Sequence, residues 1–302
     1  MKWQGRERSS NIEDRRSQGG GGFRRSGGGM GNMGGIRIPS GRSGGGLGLV
    51  GIIVVLGIIW FATGQNPIDV LTGGMSGGST TSSSQWAPST SANQDELSQF
   101  VGVVVKDTEN LWSEVFTQNS MTYKPPKVVL FTDTTQSGCG TAQSASGPFY
   151  CPNDKKVYID LSFYDQLRQQ FGAPGDFAQA YVMAHEIGHA VQDQTGVLPE
   201  FNQRQASMSQ DEQNAYSVRV ELQADCYAGV WANYADKQNL LEQGDAQEAI
   251  NAANQIGDDT LTRGQVSSRN FTHGTSQQRM TWFKRGLETG DVGQCDTFNS
   301  TI

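Results

Sequence analysis

The chain has 302 residues, four cysteines and a formal net charge of −7 at pH 7. That length is sufficient for one or two domains, and the low-complexity composition of its first 94 residues reduces the expectation to one. None of the cysteines forms a C-x-x-C pair, which disfavours a zinc ribbon.

The first 46 residues are rich in Gly, Arg and Ser and carry nine Lys or Arg against three Asp or Glu. Such a segment has little apolar surface to bury, so we expect a disordered, basic, cytoplasmic leader. A basic tail by itself would suggest nucleic-acid binding that is strong and sensitive to salt. Its position before an apolar segment favours a role in membrane orientation instead, and we expect no nucleic-acid partner.

Residues 47–63 form the apolar segment. They contain no charged side chain, and with the flanking residues the uncharged stretch reaches about 20 residues, which is enough to cross a bilayer as a helix. Basic residues precede this stretch and few follow it, so the positive-inside rule places the N-terminus in the cytoplasm. We predict an uncleaved signal anchor rather than a cleaved signal peptide, because the leader is long and no small-x-small cleavage site follows.

A Gly/Ser/Thr-rich flexible linker is predicted over residues 64–94, followed by one folded domain over residues 95–302. The predicted topology makes the protein a single-pass protein of the inner membrane. Its folded domain then lies in the periplasm or outside the cell.

All four cysteines lie in this domain. An even number outside the cytoplasm favours two disulfides, and four cysteines allow three pairings. We favour the pair Cys139–Cys151, across a short Gly/Ser-rich loop, and the pair Cys226–Cys295, between a helix and the C-terminal tail. Four reduced cysteines are the alternative.

The folded domain is predicted to be α+β, mostly helical with a small β-sheet. Apolar residues at spacings of three and four predict helices, and short β-branched or alternating segments predict strands. Helices are predicted over residues 95–117, 163–171, 176–196, 211–237, 245–256 and 276–290. Strands are predicted over residues 127–132 and 157–163 as a hairpin-like pair, with a loop over 138–152 and a polar connection over 199–209.

The motif with the clearest chemistry is His185-Glu186-Ile187-Gly188-His189, in the middle of a predicted helix. Two histidines four residues apart lie on one helix face, so both imidazoles can bind one cation. Glu186 points toward the same cleft, where it can act as general base on a zinc-activated water. The alternative is a buried helix with two histidines that bind no metal.

Glu221 and Asp225 lie four residues apart on the long helix over residues 211–237 and share a face. A catalytic zinc site needs a third protein ligand, for which we predict Glu221. Asp225 is predicted to accept a hydrogen bond from the second ring nitrogen of His185. Two solvated acids are the alternative, but the small and apolar neighbours favour burial, and buried carboxylates need partners.

His273, the third histidine of the chain, lies just before a capping box formed by Thr275 and Gln278. If the last helix returns to the cleft, His273 can donate to the oxyanion of a tetrahedral intermediate. A loop histidine involved only in capping is the alternative.

Together these segments resemble the bacterial neutral zinc metallopeptidase family. Its members have a basic Gly-rich leader, one membrane span and a C-terminal domain with the motif H-E-x-G-H-x-V-Q. The similar segments are residues 147–152, 185–192, 221–229, 273–276 and 278–279.

The resemblance implies a zincin-like domain of the gluzincin kind, in which His185, His189 and Glu221 bind Zn²⁺. The implied activity is that of a membrane-anchored zinc endopeptidase, with Glu186 as general base, acting on proteins or peptides. The strand over residues 157–163 is predicted to offer an edge to an extended peptide. The rival interpretation is a membrane-tethered binding module that keeps a structural zinc site without catalysis.

Overall fold

The computed structural model describes residues 1–18, 91–169 and 171–302, without the side chains of residues 91–93. The predicted membrane segment, residues 47–63, therefore lies outside the described residues. Within the described ranges, no helix is both long enough and apolar enough to cross a membrane.

The described chain is mostly helical with a small sheet, as the sequence predicts. Its helices are α1 (Ser91–Gln118), α2 (Ser162–Gln169), α3 (Asp176–Gln194), α4 (Val197–Arg204), α5 (Gln210–Lys237), α6 (Asp245–Gln255), α7 (Asp258–Leu261) and α8 (Ser276–Thr289). Its strands are β1 (Ile12–Asp14), β2 (Lys127–Phe131), β3 (Thr134–Ser137), β4 (Gly140–Gln143), β5 (Phe149–Cys151) and β6 (Lys156–Asp160).

The main sheet has the order β1-β2-β6-β5, and β3 and β4 form a separate antiparallel pair. Strands β2 and β6 pair in parallel, with Val128 opposite Val157, so the predicted hairpin is wrong. A parallel pair needs a connection of a dozen or more residues, and this one contains the β3–β4 pair and β5. The predicted loop over residues 138–152 thus includes two strands. Strand β6 is internal, so the edge predicted over residues 157–163 is also wrong, and β5 is an edge strand instead.

The N-terminal segment, residues 1–18, belongs to the fold, which corrects the prediction of a disordered leader for these residues; the rest of the predicted leader, residues 19–46, lies outside the described residues. Strand β1 pairs in parallel with β2, and Ile12 lies opposite Val128. Met1 is buried in the hydrophobic core, and Trp3 packs against that core. Gly and Arg dominate the leader as a whole, but its first residues contain apolar side chains that pack against the core of the domain.

Two helix crossings set the positions of the functional elements. A Cβ atom at Gly188 of α3 would lie 3.3 Å from the carbonyl oxygen of Ala224 in α5, which is a close helix approach. A Cβ atom at Gly229 of α5 would lie only 2.1 Å from the carbonyl oxygen of Phe283 in α8, so this crossing requires glycine. Helix α5 is therefore in close contact with α3 and with α8.

The predicted disulfides and one predicted helix cap are confirmed. Cys139 is bonded to Cys151 and Cys226 to Cys295, the pairing that the sequence favoured. The capping box of Thr275 and Gln278 is present at the start of α8. The polar connection over residues 199–209 is different: most of it continues α4 into a short 3-10 helix.

Candidate metal centre

Helix α3 carries the H-E-x-x-H motif at its centre, where the helix is buried on all sides. His185 is 6 % exposed, Glu186 is 9 % exposed and His189 is 6 % exposed. A helix that is apolar nearly all round lies inside the protein, and residues such as Phe177 and Tyr181 provide that surface here. Burial of three polar side chains in one turn is costly unless they have partners, which indicates a built site.

The predicted third ligand, Glu221, lies on α5 opposite the two histidines. Its carboxylate oxygens lie 3.1 Å from Nε2 of His185 and 3.5 Å from Nε2 of His189. Ligands of a tetrahedral zinc ion with bonds of about 2.0–2.1 Å are roughly 3.3 Å apart. Both separations between Glu221 and the histidines are close to that value, and the ligand atoms of the three side chains lie within 4.8 Å of one another, so the group could hold a metal.

The other ring nitrogen of each histidine has its own partner. Nδ1 of His185 lies 2.9 Å from Oδ1 of Asp225, and Nδ1 of His189 lies 2.8 Å from Oε1 of Gln192. The amide nitrogen of Gln192 donates to the carbonyl oxygen of Val220 and to Gln223, so its oxygen must face His189. Nδ1 of His189 then carries the proton, and its Nε2 lone pair is free for a cation.

Asp225 is the centre of a fully buried hydrogen-bonded network. Besides His185, it accepts a hydrogen bond from the Tyr181 hydroxyl at 2.6 Å and two from the Arg279 guanidinium at 2.8 and 2.9 Å. Burial alone would raise the pKa of Asp225, but Arg279 and His185 outweigh it and hold that pKa below the usual value. Asp225 therefore stays ionised and fixes the orientation of the His185 ring.

Burial and neighbouring charges give the two histidines different pKa values and raise the pKa of Glu186. Burial lowers the pKa of His189 to about 4, which keeps the imidazole neutral as a metal ligand requires. Burial opposes the charge of His185, but Asp225 and Glu221 raise its pKa to about 10. Burial, assisted by Glu221, raises the pKa of Glu186 to about 7 against the opposing effects of His185 and of a hydrogen bond from the Tyr150 backbone. A carboxylate with that pKa can both accept and release a proton near neutral pH.

His273 is held beside this group by Asp258, the first residue of α7. Nδ1 of His273 lies 2.9 Å from Oδ1 of Asp258, and the other oxygen of Asp258 accepts backbone hydrogen bonds from Thr272, His273 and Gly274. The charge of His273 helps to lower the pKa of Glu221, although burial acts in the opposite direction. Nδ1 is engaged with Asp258, so Nε2 is the ring nitrogen available to another partner.

The structure thus brings together His185, Glu186, His189, Glu221 and Asp225. It orients His273 through Asp258. The sequence reasoning did not identify the contacts of Gln192, Asp258 and Arg279. Gln192 is three residues from His189 on the same helix, a spacing that signals a neighbour, whereas Asp258 and Arg279 reach the site only through tertiary packing.

A second group of acidic side chains, Asp176, Asp245 and Glu248, also lies close together. It contains no histidine. The amino nitrogen of Met1 lies 2.7 Å from Asp176 and 3.3 Å from Asp245, so this group pairs with an ammonium of the chain itself. We assign no metal to it.

The fold and the site define a class of protein: an α+β domain in which an H-E-x-x-H helix and a glutamate on a second helix form a group that could hold a metal. The chain belongs to the family described as "Putative neutral zinc metallopeptidase", whose profile matches residues 1–298.

Two relatives illustrate the extent of the similarity. "Uncharacterized protein YpfJ" of Escherichia coli (strain K12) is 48% identical over 305 residues, which cover 100% of both chains. "Uncharacterized protein Rv2575" of Mycobacterium tuberculosis (strain ATCC 25618 / H37Rv) is 41% identical over 219 residues, which cover 68% of this chain and 73% of the relative. No solved structure matches the chain.

Proposed function

We propose that the protein is a zinc-dependent peptidase in which His185, His189 and Glu221 bind the metal. The observation that carries this proposal is the hydrogen bonding of the two imidazoles. Each Nδ1 is engaged by a fixed acceptor, and each Nε2 faces the same carboxylate of Glu221. Imidazole nitrogens and a carboxylate oxygen are the donors that Zn²⁺ prefers in a catalytic site with three protein ligands, and binding there would displace the proton that His185 carries at neutral pH.

Zinc bound here would polarise a scissile carbonyl and lower the pKa of a water toward about 7. Glu186 accepts a proton from the attacking water and delivers it to the leaving amine. Its pKa of about 7, raised chiefly by burial, suits both steps. A purely structural zinc site has no need of a buried carboxylate next to its first histidine, which favours catalysis over the non-catalytic binding module.

His273 has the role of oxyanion donor in this proposal. Asp258 engages Nδ1, and it raises the pKa of His273 although burial opposes the charge. A donor at Nε2 whose orientation is fixed before the reaction stabilises developing negative charge without reorganising.

Strand β5 is the proposed docking edge for the substrate backbone. It is at one end of the main sheet, and its middle residue, Tyr150, hydrogen-bonds through the backbone to Glu186. An extended peptide added to this edge would place a peptide bond beside the general base. This assignment replaces β6, whose two sides are already paired with β2 and β5.

We also propose that the catalytic domain works outside the cytoplasm. The support is the two disulfides, which persist in oxidising compartments and are rare in the cytosol. The apolar segment over residues 47–63 supports association with a membrane.

The test is Glu186→Gln in the purified full-length protein, compared with Glu200→Gln on the exposed face of α4 as a matched control. We expect both variants to retain zinc, and only Glu186→Gln to lose hydrolysis of an unfolded protein substrate, by roughly 10²–10⁴-fold. If the wild-type protein binds one zinc and neither it nor the control cleaves any peptide, the binding module becomes the better interpretation.

A further inference from the structure

The contacts of the N-terminal segment constrain how the chain is placed relative to a membrane. This segment is separated in sequence from the catalytic domain by the apolar residues 47–63. In the structure it is joined to that domain by a strand pairing, by buried ion pairs and by core packing.

The backbone contacts are continuous along the segment. The amide of Lys2 donates to Leu240 and the amide of Ser9 donates to Gly102, while Val128 of β2 donates to Asn11. A further backbone hydrogen bond joins Arg15 to Leu130. The segment therefore extends over α1 and completes one edge of the sheet.

Charged and polar side chains on α1 have their partners in this segment. Asp107, 2 % exposed, accepts two hydrogen bonds from the Arg6 guanidinium, one of them at 2.8 Å. Glu109 is also buried and accepts from the Ser9 hydroxyl at 2.6 Å and from the Asn11 amide at 2.7 Å. Buried carboxylates without partners are costly, so α1 is built to receive residues 1–18.

A single membrane crossing by residues 47–63 is incompatible with these contacts. It would place residues 1–18 and 91–302 on opposite faces of a hydrocarbon layer about 30 Å thick. Hydrogen bonds need donor and acceptor atoms within about 3.2 Å, so the pairing of β1 with β2 cannot form across a bilayer, either within one chain or between two.

We propose that residues 1–18 and 91–302 fold as one unit on the same side of the membrane. A topology with these two parts on opposite faces of the bilayer is then excluded. The family profile begins at residue 1, so the N-terminal segment is part of what the family has in common with this chain. Together with a catalytic domain outside the cytoplasm, this arrangement places the N-terminus outside as well, and not in the cytoplasm as the positive-inside rule predicts.

The direct test compares two variants of the full-length protein in intact cells, each with one introduced cysteine. Glu7→Cys lies in the N-terminal segment and Asn251→Cys lies on α6, and both positions are exposed. All four native cysteines are in disulfides, so the introduced thiol is the free one. We expect a membrane-impermeant maleimide to label the two variants alike: either both in intact cells, or both only after permeabilisation. Labelling of one site in intact cells and of the other only after permeabilisation overturns the proposal.

A cross-link tests the docking itself in the purified full-length protein. A Cβ at Gly102 would lie 3.3 Å from Cβ of Arg8, close to the roughly 3.5–4.5 Å of a disulfide. We expect Arg8→Cys/Gly102→Cys to form a disulfide on mild oxidation, seen as a mobility shift without reductant. The control pair Arg8→Cys/Asn251→Cys should stay reduced. If both pairs stay reduced and all introduced thiols react with maleimide, residues 1–18 are not docked, and the proposal fails.

Discussion

Both ring nitrogens of each motif histidine have defined neighbours, and this arrangement favours the proposed metal centre over two buried imidazoles that bind no metal. Local spacing predicted the positions of His185, His189, Glu221 and Asp225, because residues four apart share a helix face. It could not predict that Arg279 neutralises Asp225 or that Asp258 orients His273. Those contacts join residues far apart in sequence, and no local periodicity encodes them.

Gln192 provides a prediction at the residue scale. Gln192→Leu removes the acceptor for Nδ1 of His189, so the ring loses its fixed tautomer and orientation. Loss of such a supporting contact typically weakens metal binding by about 10–100-fold. Competition with a chelator measures the zinc affinity. Gln194→Leu, two residues later and partly exposed, is the matched control and should bind zinc like the wild-type protein. Equal affinities in the two variants would contradict the role of Gln192.

Asp258 provides the second residue-scale prediction. In Asp258→Asn an amide replaces the carboxylate that fixes Nδ1 of His273, so the donor at Nε2 is no longer held in one tautomer. We expect kcat for peptide hydrolysis to fall by roughly 10–100-fold, the usual range for losing a side chain that orients a functional group. Zinc content should not change, since Asp258 binds no ligand of the metal.

Asp259→Asn is the control for that experiment, because Asp259 bonds to Ser276 and not to His273. Its kcat is expected to match that of the wild-type protein. A similar loss of kcat in both variants would assign the effect to the loop as a whole and not to the orientation of His273.

At the scale of elements, the helices were predictable and the sheet was not. Apolar periodicity located α1, α3, α5, α6 and α8, since each has a long stripe of residues facing the core. The strands are only three to five residues long and pair with distant segments, so their order and direction do not follow from local patterns. Parallel pairing of β2 with β6 depends on the whole connection between them.

The crossing of α5 and α8 gives a prediction about stability. An added methyl group at Gly229 would overlap the backbone of Phe283, which cannot move as a flexible side chain does. We expect Gly229→Ala to lower the free energy of unfolding by about 3 kcal/mol, the upper end of the usual overpacking cost. Gly188→Ala is the comparison, since its added Cβ meets Ala224 at 3.3 Å and needs only a small shift. Denaturant titration should rank Gly229→Ala as clearly less stable, and the reverse order would contradict the assigned geometry.

At the scale of the whole molecule, composition was misleading for the first 18 residues. The leader has the Gly- and Arg-rich composition of a disordered tail, yet Met1 and Trp3 pack on the core and Arg6 pairs with Asp107. A few apolar residues suffice when the complementary surface is supplied by the rest of the fold. Residues 1–18 are thus held in place by contacts with distant parts of the chain, which local composition does not reveal.

The disulfides give a prediction for the complete chain. Cys226–Cys295 closes a sequence separation of 69, against 12 for Cys139–Cys151. Loop-closure entropy in the unfolded chain then contributes about 4 kcal/mol for the longer loop and about 3 kcal/mol for the shorter one. Cys226→Ser/Cys295→Ser is expected to be the more destabilised double variant in denaturant titration. The longer bond also ties the C-terminal tail to α5, the helix of Glu221. A larger loss of stability for Cys139→Ser/Cys151→Ser would contradict this order.

The zinc content of the purified full-length protein and its Glu221→Ala variant tests the central claim most directly. Glu200→Ala, on the exposed part of α4, is the control for loss of a glutamate. We predict one zinc per chain in the wild-type protein and in Glu200→Ala, and loss of zinc from Glu221→Ala under the same dialysis. Full retention of zinc by Glu221→Ala would remove Glu221 from the ligand set and contradict the three-ligand centre.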